Sequence, residues 1–209
     1  MKKIHIFIRK KNSSFHQSVE RFATQLKQNI KDKNLKIKII KCPVISVGIF
    51  NRIYLIIWAF FKQGDVNHIC GDINFISLFL KKKKTINTFL DCRLLYNFKG
   101  IKKVIYKFFW FQIPLNKSYI NTFISDFTKK EIRKYIPIHR FKFVVIPIPL
   151  VQKYCSNIDH KKKKILIIGT ETHKNIKNSL KALSNLPISL FIVGKLDKES
   201  IKLIKNNNI

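Results

Sequence analysis

Two short stretches carry residue types that chemistry uses. The first is Asn67-His68-Ile69-Cys70-Gly71-Asp72. A histidine and a carboxylate four apart, with a glycine between them at the end of a short apolar run, can bind hydroxyl groups. An imidazole placed there can also take a proton from one. The same residues suit a plainer role, with His68 hydrogen-bonded to backbone and Asp72 capping the helix it opens. The second stretch is Gly169-Thr170 with Lys174-Asn175, behind the apolar run Ile165-Leu166-Ile167-Ile168. A strand, a glycine turn and a helix start bring free backbone N–H groups and the positive end of a helix dipole to one place, which favours an anion such as a phosphate. Gly169 lets the backbone approach closely. Thr170 adds a hydroxyl and Lys174 a mobile cation.

Other residues are candidates on weaker grounds. Asp91 follows the run Thr85-Ile86-Asn87-Thr88-Phe89-Leu90, where a carboxylate can be a general base or can simply end a strand. Glu20, early in the first helical segment, could pair with a hydroxyl or lie on a solvated face. Ser125-Asp126-Phe127-Thr128 reads as a helix N-cap. There is no G-x-G-x-x-G after the first strand and no G-x-x-x-x-G-K-[ST], so a dehydrogenase or a P-loop enzyme has no support. The cysteines, at 42, 70, 92 and 155, form no C-x-x-C, and no histidine joins them at metal spacing. Free thiols in a reducing cytosol are expected, with no metal site.

These candidates need elements to hold them. Residues 3–9, with Ile4, Ile6, Phe7 and Ile8, predict a central strand. Ser14-x-x-Gln17 resembles a capping box. Phe15, Val19, Phe22, Leu26 and Ile30 then recur at helical spacing. Strands are predicted at 36–41, 66–70, 85–89, 119–124 and 141–146. Helices are predicted at 51–63, from Gly71-Asp72 through Leu80, at 98–111 with Pro114 as the stop, and at 128–135. The helix at 51–63 has almost no polar face and is expected to be well covered. Strands alternating with helices predict a parallel, doubly wound α/β sheet. The pattern restarts at 165 with strand, helix, strand, helix. The expected organisation is a Rossmann-like domain at 1–150, a linker at 151–164, and the incomplete start of a second Rossmann-like domain at 165–209. In such sheets ligands bind at the carboxyl ends of the strands.

Composition narrows the partners. The chain has 209 residues and a formal charge of +31, which would suit nucleic acid or an anionic membrane. Only six of its 42 basic residues are Arg, and Lys, Asn, Ile and Phe are abundant together, as A/T-rich codons would produce. The aromatic residues lie inside apolar runs and do not form a spaced stacking platform, so no nucleic-acid partner is expected. Peripheral contact with an anionic membrane is retained. The longest apolar run, 53–61, is well short of the roughly 18–20 residues that span a bilayer. The start, Met-Lys-Lys-Ile-His, is too short and interrupted for a signal peptide. The expected location is the cytoplasm, extending to the inner face of the membrane.

Taken in order, His68-Ile69-Cys70-Gly71-Asp72, Thr85 to Cys92, Ser125 to Glu131, Val145-Ile146-Pro147-Ile148-Pro149, and Ile165 to Thr170 with Lys174-Asn175 resemble retaining glycosyltransferases of the GT-B fold, family 4. The resemblance implies two Rossmann-like domains facing each other across a cleft, the first for the acceptor and the second for a nucleotide-sugar donor. It implies that Gly169, Thr170, Lys174 and Asn175 lie against the donor diphosphate, that Glu20 and Asp72 border the acceptor, and that His68 and Asp91 are the catalytic candidates. The implied activity is transfer of a sugar to a glycan or lipid-linked acceptor, with no metal and no cofactor besides the donor. Two positions depart from the family: Leu90 stands where a His often precedes the strand-ending Asp, and Thr170 stands where a basic residue often follows the Gly. The E-x7-E motif of the donor domain is also missing, so the chain is expected to be truncated and to transfer little or nothing alone. The alternative is a non-catalytic remnant or an acceptor-binding subunit that requires a partner chain.

Overall fold

A computed structural model describes residues 1–10, 18–148, 163–170 and 174–206. The chain divides into two compact units, Met1–Gln152 and Lys153–Ile209. The capping box at 14–17 and residues 151–162 of the expected linker lie outside the described residues.

The first unit is built on six strands: β1 (Lys2–Ile8), β2 (Leu35–Lys41), β3 (Val66–Cys70), β4 (Thr85–Phe89), β5 (Ile120–Phe123) and β6 (Phe143–Val145). They form one sheet in the order β2-β1-β3-β4-β5-β6, and every neighbouring pair is parallel. Parallel neighbours need crossover connections, and helices supply them. Helix α1 (Ser18–Asn29) joins β1 to β2, and α2 (Ile49–Phe61) joins β2 to β3. The result is the Rossmann-like α/β fold that the alternating pattern predicts.

Side chains alternate across the sheet and make two cores. On one face Ile6, Ile8 and Cys70 meet Val19, Phe22 and Ala23 of α1. On the other Phe7, Ile69, Phe89 and Phe123 meet Leu55, Ile56 and Ala59 of α2 together with the segments that follow β3 and β4. Phe89 stacks between Phe111 and Phe123, at centroid distances of 5.6 and 5.5 Å. Phe7, Phe22, Phe75, Phe89, Phe111 and Phe123 are core material, where each large ring removes much apolar area from water.

Two expectations fail here. Helix α2 is not well covered: Leu55, Ile56 and Ala59 are buried, but Phe50, Ile53, Tyr54, Ile57 and Phe61 are exposed. A helix beside a sheet buries one stripe, and among the described residues no second layer covers the other. The segment expected to end at Pro114 continues instead. It runs as α3 (Leu94–Asn97), α4 (Gly100–Lys107), a π turn at Phe108–Gln112 and α5 (Ile113–Lys117). Pro114 falls in the first turn of α5, directly behind the π turn; it has no N–H to give the Trp110 carbonyl four residues earlier, which accepts from Nδ2 of Asn74 at 3.5 Å instead. Helix α6 (Asp126–Arg133) then leads towards β6.

The second unit contains β7 (Lys164–Ile168), α7 (Ile176–Leu183), β8 (Ser189–Val193) and α8 (Lys198–Asn206). The two strands pair in parallel, Ile165 opposite Leu190 and Ile167 opposite Ile192. These four side chains are half-buried, while Leu166, Ile168, Phe191 and Val193 on the opposite face are exposed. Lys177 of α7 ties the two helices together by pairing with Asp197 at 3.7 Å and with Glu199 of α8.

Candidate functional site

An open parallel sheet offers a crevice where successive connections leave in opposite directions. The strand order places that point between the carboxyl ends of β1 and β3. Arg9 and Lys10 follow β1, and Gly71 and Asp72 follow β3. Nη1 of Arg9 donates to Oδ2 of Asp72 at 3.4 Å. Nζ of Lys10 donates to the Pro43 carbonyl, just beyond β2, at 2.9 Å. Nε1 of Trp110 donates to the Asp72 carbonyl at 2.7 Å and fixes the turn from below. Gly71 has φ +97°, and a Cβ there would meet Val19 at 3.2 Å, so only glycine lets β3 end this close to α1.

This geometry decides between the two roles of Asp72. The following 3₁₀ turn, Asn74–Phe79, has no side-chain cap. Asp72 instead faces Arg9, and both side chains keep partial exposure, 49% and 26%. Such a pair contributes about 0–1 kcal/mol to stability, so its members can exchange partners with a ligand at little cost. Together with Lys10 the spot offers two cations and one carboxylate for anionic or hydroxylated groups. The rule that ligands bind at strand ends points to Arg9 and Lys10, whereas Trp110 is a member that sequence reasoning missed. The strand-end position of Arg9 was the available signal; Trp110 reaches Asp72 across 38 residues of chain, and nothing local marks it.

The other candidates are placed differently from one another. Glu20 lies in the first described turn of α1, with both carboxylate oxygens buried and no hydrogen-bond partner among the described residues. A buried carboxylate without donors is costly, and a hydroxyl-bearing ligand would satisfy it. His68 lies within β3, two residues before its end. Its Nε2 shares a 2.7 Å hydrogen bond with Oγ1 of Thr88, which shares another of 2.7 Å with Oγ1 of Thr122. The ring also packs edge-on to Phe22. Burial pushes the imidazole down to about 4, so it is neutral near neutral pH. His68 is thus part of a polar ladder across three strands, beneath the crevice. Asp91 follows β4 and is exposed, and its Oδ1 accepts from the Arg93 backbone N–H at 3.1 Å. No ion pair or hydrogen bond joins it to His68, Asp72 or Glu20 among the described residues. Ser125 is the N-cap of α6, its Oγ accepting from the Thr128 N–H at 3.1 Å.

The described cysteines, Cys42, Cys70 and Cys92, are free and buried. Burial, with Asp72 adding to it, pushes the Cys42 thiol up to about 12. Burial and then Glu131 and Asp91 push Cys92 up to about 11. Thiols held this high are poor nucleophiles. Among the described residues no three His, Cys, Asp or Glu side chains gather as metal ligands would.

In the second unit the turn after β7 is as glycine-dependent as its sequence suggests. Gly169 has φ +87°, and its N–H donates to the Val193 carbonyl at 2.8 Å. Oγ1 of Thr170 donates to the Lys195 carbonyl at 2.7 Å. A Cβ on Gly194 would lie 2.7 Å from Thr170, so the two strand ends close on each other. Asn175, at φ +54°, precedes α7; its Oδ1 accepts from Nδ2 of Asn178 at 2.9 Å. Thr170 and Asn175 are therefore engaged in holding the turn. Lys174 is exposed beside the start of α7, and the helix dipole there favours an anion. Residues 171–173 lie outside the described residues. Neither the comparison with protein-family models nor that with curated proteins gives a match to this chain.

Proposed function

We propose that the chain is a glycosyltransferase-type protein in which the first unit binds a hydroxyl-bearing acceptor, glycan or lipid-linked, and the second holds the diphosphate of a nucleotide-sugar. The observation that carries this reading is the tandem of two parallel α/β units, each with polar groups at strand ends: Arg9, Lys10 and Asp72 at the crevice of the first, and the Gly169 turn with Lys174 at the start of α7 in the second. Half-buried Glu20, whose carboxylate oxygens find no partner among the described residues, suits an acceptor hydroxyl. Lys174 and the helix N-terminus suit a leaving diphosphate, because fixed positive charge stabilises the charge that develops as the bond to the sugar breaks.

Titration calorimetry with UDP and GDP against uridine and guanosine tests the donor half. The diphosphates are expected to bind at least about tenfold more tightly than the nucleosides, and Lys174→Ala to lose several-fold of that preference. No preference for a diphosphate would remove the donor assignment.

A second reading has its own support. Parallel sheets normally have both faces covered, yet Leu166, Ile168, Phe191 and Val193 lie open on the sheet of the second unit. In this reading the chain is an acceptor-binding subunit that acts with additional polypeptide seated there. Acceptor binding to the isolated chain without diphosphate binding would favour it.

A further inference from the structure

We propose that α2 and α4 form a docking face for an anionic lipid bilayer. The inference is independent of the reaction proposed above and rests on apolar stripes that face solvent. Along α2 the stripe is Phe50, Ile53, Tyr54, Ile57 and Phe61, with Phe50 84% and Phe61 76% exposed. These positions lie opposite the buried Leu55, Ile56 and Ala59, so the helix is apolar on both sides. The stripe continues past Phe60 into an open groove of about 420 Å³ that includes Phe79 and Lys117.

The second stripe is on α4. Ile101, Val104 and Ile105, with Phe108 of the π turn that follows, recur at helical spacing and are all exposed, and no residue of α4 is buried. The two helices are joined through one stack: the Arg52 guanidinium lies 4.8 Å from the Trp110 ring centre, and Trp110 stacks on Tyr106 of α4 at 4.9 Å.

Charge selects the occupant. Residues 33–64 and 92–125, which contain both helices, include no Asp or Glu. Lys62 follows α2, and Lys99, Lys102 and Lys107 flank the α4 stripe. An apolar stripe edged by lysines matches acyl chains beneath anionic headgroups, because long lysine side chains can reach the headgroups while the stripe sinks. A second copy of this face would set like charges against each other. No helix among the described residues is long and apolar enough to cross a membrane, so the geometry is that of helices lying in the interface.

Flotation of the full chain with vesicles tests the proposal, comparing phosphatidylcholine alone with phosphatidylcholine containing phosphatidylglycerol. Binding to the mixed vesicles is expected, weakening as salt rises. Ile53→Ser with Ile57→Ser should reduce it about tenfold or more, since each side chain loses its burial in the acyl region. Lys102→Gln with Lys107→Gln should reduce it severalfold and flatten the salt dependence. All four sites are on the surface of α2 and α4, and circular dichroism should show each variant folded. Absence of binding to the mixed vesicles overturns the proposal, as does binding that both pairs of substitutions leave unchanged. Self-association in sedimentation velocity that Ile53→Ser with Ile57→Ser abolishes, without vesicle binding, would make this a protein interface and overturn it too.

Discussion

At the scale of single residues, His68 shows how burial changes the meaning of a chemistry-bearing side chain. Its type and its place before Gly71-Asp72 suit a proton acceptor, but in the fold it spans Thr88 and Phe22 inside the sheet. Burial lowers its pKa from 6.5 to about 4. Between those values the unfolded chain binds a proton that the folded chain refuses. Stability from this source is therefore complete above about pH 6.5 and is lost as pH falls towards about 4, by about 2 kcal/mol at about pH 5. Urea unfolding at about pH 7 and about pH 5 measures the loss, and His68→Gln should remove most of it. An unchanged pH dependence in that variant would mean that His68 is not the group being titrated. Asp72 went the other way: its sequence context suggests a cap, whereas its partner, Arg9, follows a strand and lies 63 residues earlier in the chain.

At the scale of elements, α2 is the informative case. Periodicity finds apolar stripes, but a helix that is apolar all round gives no sign of which side the protein uses. The sheet makes the choice, through Leu55, Ile56 and Ala59. Leu55→Ala should cost about 2–5 kcal/mol because it opens a cavity in the core. Ile57→Ala, two residues on, should stay within about 0.5 kcal/mol because its side chain already meets solvent. Chemical denaturation of both variants checks the assignment, and similar losses would contradict it. The strands were legible for a different reason: short β-rich runs ended by Gly, Asp or Pro carry their own boundaries, and 66–70 and 85–89 match β3 and β4 throughout. The stretch around Pro114 was not legible, since a π turn is set by how Trp110 and Phe111 seat in the core and not by local propensity.

At the scale of the whole molecule, 42 basic residues face 11 acidic ones, for a formal charge of +31. Self-repulsion in the folded state is screened by salt. Thermal unfolding should therefore move up by about 3 °C or more between about 0.02 M and about 0.2 M NaCl. Differential scanning calorimetry reads this directly, and a melting temperature that falls with salt would show that favourable ion pairs outweigh the repulsion. The same excess charge, beside the uncovered apolar stripes of the first unit, favours the anionic lipid surface proposed above over a second copy of this chain.

Alternation of strand and helix, the two-unit organisation and the glycine-dependent turns at Gly71 and Gly169 follow from local chemistry, because period, chain reversal and positive φ are properties of a few neighbouring residues. The pairing of Arg9 with Asp72, the burial of His68, the isolation of Asp91 and the exposed face of α2 do not. Each depends on which surfaces meet when distant segments pack, and the strand order β2-β1-β3-β4-β5-β6 is what brings those segments together.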